Sequence, residues 1–400
     1  MAEALTDTRV VVINGARQVG KSTLAEVVLR HAEGGVARFL DDPVTRAAAV
    51  EDPIRFIRHD GLMFIDEVQR VPDLWLAIKD LVDREPRPGR FLLTGSARLM
   101  SLQSLPDTLP GRSETIELFP LSQGEIDSTA DGFVDAAFAG GDELRIESQA
   151  LRRKDYVARL MRGGFPEAVR RDVPRRRDRF FQAYLSDVIT RDIKQVADIQ
   201  RVSDIRRLVS LLAAQSGGLV NYSRLASDLA ISAPTVRTYI QILETIYLVR
   251  LVPAWSTGST TRAVGAPKSI FIDSGLAANV ATGAAGEPPI GGLLEGFVLS
   301  ELARQLTWSR VDARLYHYRD RDQHEVDAVL EDNAGQIIGV EVKASETVRS
   351  GDFQGLRHLQ RHIGDRFRAG FVLYCGSESL SFGDGLACLP ISALWLAAAS

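Results

Sequence analysis

Residues 9–23, Arg-Val-Val-Val-Ile-Asn-Gly-Ala-Arg-Gln-Val-Gly-Lys-Ser-Thr, leave the first part of this chain little choice of fold. Arg9 and the β-branched run after it, Val10 to Ile13, predict a short buried strand over 9–13. Gly15 to Ser22 then spell G-x-x-x-x-G-K-[ST], and the apolar spacing of Leu24, Val27 and Val28 predicts a helix. Strand, glycine loop and helix in that order form a phosphate-binding loop. Glycines let the backbone curl so that N–H groups converge on an anion, and the helix N-terminus adds partial positive charge. The expected phosphate-contacting set is therefore Gly15, Ala16, Arg17, Gln18, Val19, Gly20, Lys21, Ser22 and Thr23. Lys21 would reach the β- and γ-phosphates, and the Ser22 hydroxyl would bind Mg²⁺.

The next stretch of chemical interest is 61–67, four apolar residues followed by Asp66 and Glu67. It predicts a buried parallel strand with two carboxylates at its C-terminal end, where ligands of such sheets sit. Asp66 would hold Mg²⁺ and Glu67 would polarise the attacking water. A further strand, 91–94, brings Thr94 and Ser96 toward the γ-phosphate, or ends there in a plain turn. Arg112, just before an expected strand at 116–121, is a candidate for acting on the γ-phosphate of its own or a neighbouring subunit. Arg98 competes for that role, and a surface ion pair is the alternative for each.

Composition limits the partners. The 400 residues suffice for two to four domains, with 45% hydrophobic and 25% charged residues, ordinary for a folded protein. A net charge of −4 provides no global basic field for nucleic acid, so such a partner needs a local patch. Two cysteines, Cys375 and Cys388, make neither a disulfide framework nor a zinc spacing. With no signal-like start and no apolar run of membrane length, a cytoplasmic, non-membrane protein is expected.

The motifs at 15–23, 64–69, 93–96 and 111–122 resemble those of AAA-type ATPases that carry a C-terminal domain of unknown function 4143. The resemblance implies ATP and Mg²⁺ as cofactors and a last domain of restriction-endonuclease-like fold. In that family the segment before the first strand helps wall the adenine pocket; here residues 1–8 precede it. The chain has no Asn-Lys-x-Asp guanine signature, which favours adenine.

Residues 127–150 are acidic and glycine-containing and are expected to form a linker or insertion. Residues 170–179 hold six arginines in ten positions, either a phosphate-tracking cluster or a solvated helix start. Helical periodicity follows over 178–215, and 219–250 reads as a helix-turn-helix with Ser232 as cap and Pro234 in the first turn of its second helix. Residues 248–252 would be a wing strand. The second helix offers Arg237 as its N-terminal cation beside Thr235, Thr238 and Gln241, so contact with DNA and a lid or protein-contact role both stand.

The strand 268–272 leads to Asp273, expected as a turn or cap residue. Glu295 lies on an amphipathic helix, 291–304. Asp327 and, after 13 intervening residues, Glu341-x-Lys343 lie on two alternating strands joined by a hairpin turn. Period two puts Glu341 and Lys343 on one face, with Asp327 opposite. PD-(D/E)xK nucleases use this arrangement: Glu295, Asp327 and Glu341 would hold metal, and Lys343 would steady the hydroxide or transition-state charge. The alternative is a strand whose outward positions are simply charged.

The expected architecture is an α/β P-loop domain of parallel sheet at 1–126, the linker at 127–150, a helical and winged-helix middle at 151–262, and a PD-(D/E)xK nuclease-like α/β domain at 263–400. The expected function is a Mg²⁺-dependent ATPase whose nucleotide state controls a DNA-binding or DNA-processing module, in a homo-oligomer if Arg112 acts between subunits. The alternative is an ATP-dependent switch or protein-interaction ATPase with a non-catalytic last domain.

Overall fold

β1 (Val10–Gly15) is buried along its whole length. Consecutive apolar residues buried on both faces belong inside a parallel sheet. The computed structural model describes residues 1–95, 109, 111–147, 149, 151–193, 202–256, 265–285 and 290–398. It sets β2 (Val36–Phe39), β3 (Met63–Asp66), β4 (Phe91–Thr94) and β5 (Ser113–Leu118) around β1 in the order β2-β3-β4-β1-β5. All neighbours in this sheet run parallel. β5 begins three residues before the expected 116.

Alternation along these strands builds two apolar layers. Val10, Val12, Met63, Ile65, Phe91 and Leu93 pack with Leu74, Trp75 and Ile78 of helix Asp73–Arg84. Val11, Ile13, Phe64 and Leu92 pack with Ala25 of helix Lys21–Arg30. Each large side chain so buried contributes about 1.5–3 kcal/mol, and the sheet is thereby held rigid beneath the loop that follows β1.

The chain divides into two compact units, 1–120 with 190–199 and 245–247, and 121–189 with 200–244 and 248–400. The second unit starts with a capping box: the Ser122 hydroxyl accepts from the Glu125 N–H, and the Glu125 carboxylate accepts from the Ser122 N–H. The stretch expected as a linker or insertion, 127–150, packs into this unit over its middle. It contains helix Phe133–Gly140, with Phe133, Val134, Ala136 and Ala137 buried. Phe133 meets Phe371 edge-to-face with ring centroids 5.6 Å apart. The Asp131 N–H donates to Trp395 O, and Arg368 Nε to Phe138 O. Acidic and glycine composition describes the ends of this stretch, whereas its apolar middle finds partners more than 170 residues away.

Helices Tyr222–Leu229 and Ala233–Thr245 follow each other through a short turn in which Ala230 is left-handed at φ +57°. Asn221 caps the first, its side chain accepting from Arg224 N, and the Ser232 hydroxyl accepts from Thr235 N at the second. β6 (Val249–Val252) then pairs antiparallel with β7 (Lys268–Phe271), Val252 opposite Lys268. The expected boundary between 262 and 263 would part β6 from β7.

The last sheet has the order β12-β13-β11-β10-β9-β8, made of β8 (Ala313–Arg319), β9 (Glu325–Asp332), β10 (Ile337–Lys343), β11 (Phe367–Tyr374), β12 (Leu380–Ser381) and β13 (Leu386–Pro390). It is mixed: β9 runs antiparallel to both β8 and β10, while β10, β11 and β13 are parallel. Helix Ile290–Gln305 is buried over most of its circumference, and amphipathic helix Gln354–Ile363 packs on β9, β10 and β11. No helix among the described residues is long and apolar enough to cross a membrane.

Candidate functional site

Gly15 ends β1 at φ +149°, and a Cβ there would come 2.2 Å from the Leu118 carbonyl of β5. Only glycine fits so close to a neighbouring strand. Gly20 sits at φ +101° just before helix Lys21–Arg30, the left-handed turn that starts the helix. Lys21 is the first residue of that helix and is buried. Its ammonium turns back on the loop, donating to Gly15 O at 3.0 Å and Ala16 O at 2.7 Å. Burial pulls its pKa down to about 8, against the opposing pull of Glu67 and Asp66. Arg17 pairs with the buried Asp192 at 2.7 Å.

The parallel register brings the ends of β3 and β4 beside the loop. The Ser22 hydroxyl donates to Asp66 Oδ1 at 2.8 Å, and the Thr94 hydroxyl donates to the same oxygen. The Glu67 N–H reaches Thr94 Oγ1 at 3.4 Å. Glu67 itself is left-handed at φ +55°, a conformation that costs a non-glycine residue about 1–3 kcal/mol. Its carboxylate accepts from Gln69 Nε2 at 2.5 Å.

These donors fit a nucleotide phosphate with Mg²⁺. A buried ammonium and a curl of N–H groups can meet phosphate oxygens, while Ser22 and Asp66 present two hard oxygens 2.8 Å apart. Glu67 lies one residue further on, where a carboxylate can take a proton from water.

Arg112 is not part of this group. Its carbonyl accepts from Val10 N at the opposite end of β1, about 16 Å from Gly15 at ~3.3 Å per residue. Its guanidinium is held by Asp83. The parallel register Val10↔Ser113 dictates this position, so Arg112 is remote from its own chain's loop. Ser96 and Arg98 lie outside the described residues.

In the second unit, Glu295, Asp327, Glu341 and Lys343 do come together. Asp327 and Glu341 sit on adjoining antiparallel strands, and the Val342 N–H donates to Asp327 Oδ2 at 2.9 Å. The Lys343 ammonium bonds Glu341 Oε1 at 2.8 Å. Glu341 Oε2 is buried without a hydrogen-bond partner among the described residues. An unexpected residue completes the cluster. The Lys268 ammonium, 1% exposed, lies 2.5 Å from Glu295 Oε1, 2.9 Å from Asp327 Oδ1 and 3.2 Å from Glu325 Oε1.

Burial and then Asp327 push Glu295 and Glu341 up to about 8, against the pull of the lysines. Burial alone would lower the Lys268 pKa, but Asp327, Glu295 and Glu325 outweigh it and raise it. Nothing local in 268–272 marks that lysine, since its partners are 27 to 59 residues away. Asp273, fully buried, caps the next helix by accepting from Leu276 N and also accepts from Gly164 N. A separate group on the β8–β9 turn and helix Gln354–Ile363, Asp320 with His324 and His358 each 2.9 Å from its carboxylate, could hold a transition metal.

Comparison with known proteins assigns the parts. Residues 7–127 match the family model described as AAA domain. Residues 153–286 match a domain of unknown function (DUF8612), and residues 290–394 another (DUF4143). An uncharacterised protein of Mycobacterium tuberculosis is 28% identical over 354 residues, covering 87% of this chain and 73% of its own. One from Haemophilus influenzae is 23% identical over 286 residues, covering 66% of this chain and 67% of its own. Among solved structures, the Walker-type ATPase PABY2304 of Pyrococcus abyssi is 14% identical, covering 70% of this chain and 93% of its own, with TM-score 0.40. The RuvB Holliday junction branch migration motor of Thermotoga maritima is 19% identical, covering 63% and 87%, with TM-score 0.28. The AAA domain model thus covers the segment that holds the phosphate loop, and the DUF4143 model the segment that holds the last sheet, the combination the sequence motifs resemble.

Proposed function

We propose that the first unit binds ATP with Mg²⁺ and hydrolyses it, and that the nucleotide state controls a DNA-binding or DNA-processing module in the second unit. The meeting of Ser22, Asp66, Glu67 and Thr94 beside Lys21 carries the first half of this reading. Bound Mg²⁺ would supply charge stabilisation at the phosphate oxygens. The side chains supply the rest. Loop N–H groups of 15–20 and the Lys21 ammonium hold the β- and γ-phosphates. Ser22 and Asp66 provide oxygens for the ion, with Thr94 fixing Asp66. Glu67 accepts the proton of the attacking water, and Gln69 sets its orientation.

The second half is supported by the paired helices 222–229 and 233–245, read as a helix-turn-helix with β6–β7 as the wing. Arg237, Thr238 and Gln241 lie exposed on the second helix. The Arg237 guanidinium rests 4.0 Å from the Tyr222 ring centroid, which pre-orders it for a phosphate or base edge.

Lys21→Ala should abolish nucleotide binding. Glu67→Gln should bind ATP normally and lose hydrolysis by about a hundredfold or more. Wild-type hydrolysis by Lys21→Ala would end the ATPase reading.

A further inference from the structure

The carboxylates of the second unit already hold a cation. We propose that Lys268 is the resident cation of this cluster, standing where a divalent ion would sit, and that the cluster is an ionic lock rather than a metal-dependent nuclease centre. This narrows the second-unit part of the reading above from DNA processing to DNA binding and is independent of ATP hydrolysis.

A two-carboxylate Mg²⁺ site needs oxygens of Glu295 and Asp327 at about 2.0–2.1 Å from one ion. Those two side chains are the ones that share the Lys268 ammonium, at 2.5 and 2.9 Å. A divalent ion on the same oxygens would face that positive charge at contact distance. Lys343 likewise pairs with Glu341 at 2.8 Å, so all three presumptive ligands have lysine partners.

Lys268 is also fixed at its backbone. It pairs with Val252 across β6–β7 and bridges to Leu219 on its other side. Ser269 next to it exchanges hydrogen bonds with Gly217 and Gly218. A lysine gripped on both sides and 1% exposed is a structural occupant rather than a swinging arm. It ties the strand pair that follows the helix-turn-helix to helix Ile290–Gln305 and to β9.

The test is Mn²⁺ binding to the full chain without nucleotide, followed by the electron spin resonance of free Mn²⁺. Wild type, Asp327→Asn and Glu341→Gln should titrate alike. Lys268→Met should gain one site at least tenfold tighter than any Asp327-dependent binding in wild type, and lose it again in Lys268→Met/Asp327→Asn. Wild-type binding that falls tenfold in Asp327→Asn or Glu341→Gln would overturn the proposal. So would a folded Lys268→Met chain with no new site. If Lys268→Met does not fold, wild type against Glu341→Gln decides alone, because that change leaves the partners of Lys268 in place. Metal held at Asp320, His324 and His358 is unaffected by either substitution and so is told apart.

Discussion

A buried lysine is costly, and Lys21, whose ammonium donates to two loop carbonyls near Asp66 and Glu67, is such a residue. The sequence made it legible because all that it needs is local: two glycines, one strand and one helix within fifteen residues. Asp66 and Glu67 were legible for a similar reason, as acids at the end of an apolar run. Arg112 was not, because a basic residue before a strand looks the same at either edge of a sheet. The parallel register places it beside Val10, away from the loop. Arg112→Ala should therefore leave ATP affinity within about twofold and chain stability little changed, as is usual when a partly exposed ion pair such as that with Asp83 is removed. A calorimetric titration and a urea melt read both. A hundredfold loss of hydrolysis in Arg112→Ala, restored by mixing with Lys21→Ala chains, would instead put this arginine at a neighbour's nucleotide.

Helix Ile290–Gln305 was expected to be amphipathic, yet it is buried almost all round because the 121–140 segment covers one side. The cover is polar as well as apolar. Gln123 N donates to Glu301, and Val134 N donates to Gln305. Such partners are invisible to periodicity, which reports a helix's own face and not what arrives from elsewhere in the chain. Glu301 is fully buried beside Arg304 and Asp131, and burial lifts its pKa from 4.5 to about 7. Between those values the folded chain keeps a proton that the unfolded chain has released. The stability from this group is thus complete below about 4.5 and declines as pH rises through 7. The decline is on the order of 3 kcal/mol at ~1.4 kcal/mol per unit. Glu301→Gln cannot titrate, so the wild-type advantage over this variant in urea melts should shrink from pH 5 to pH 8. A difference that grows over that range would refute the assignment.

At the scale of the whole chain, the order of parts was readable from composition and motif, but the seams were not. β6 and β7 join across fifteen intervening residues, 253–267, and Lys268 reaches from that pair into the last sheet. A strand's neighbours depend on distant segments, which no window along the chain contains. If nucleotide state controls the second unit, linkage makes the effect mutual: any factor by which bound ATP changes DNA affinity must equal the factor by which DNA changes ATP affinity. Couplings of this kind usually amount to about 5–150-fold. Glu67→Gln, which should hold ATP without turnover, permits both equilibria to be measured in one protein. A labelled duplex titrated with and without Mg²⁺-ATP gives one factor, and ATP titrated with and without duplex gives the other. Equal factors well above one support control. Duplex affinity that is the same with and without ATP would leave the two units energetically independent. Weak binding, with a shallow fall in affinity as salt rises, is expected from a chain of net charge −4 whose second helix carries Arg237 as its N-terminal cation. A steep salt slope would move the contact to another surface, with the arginines of 170–179 as the first to substitute.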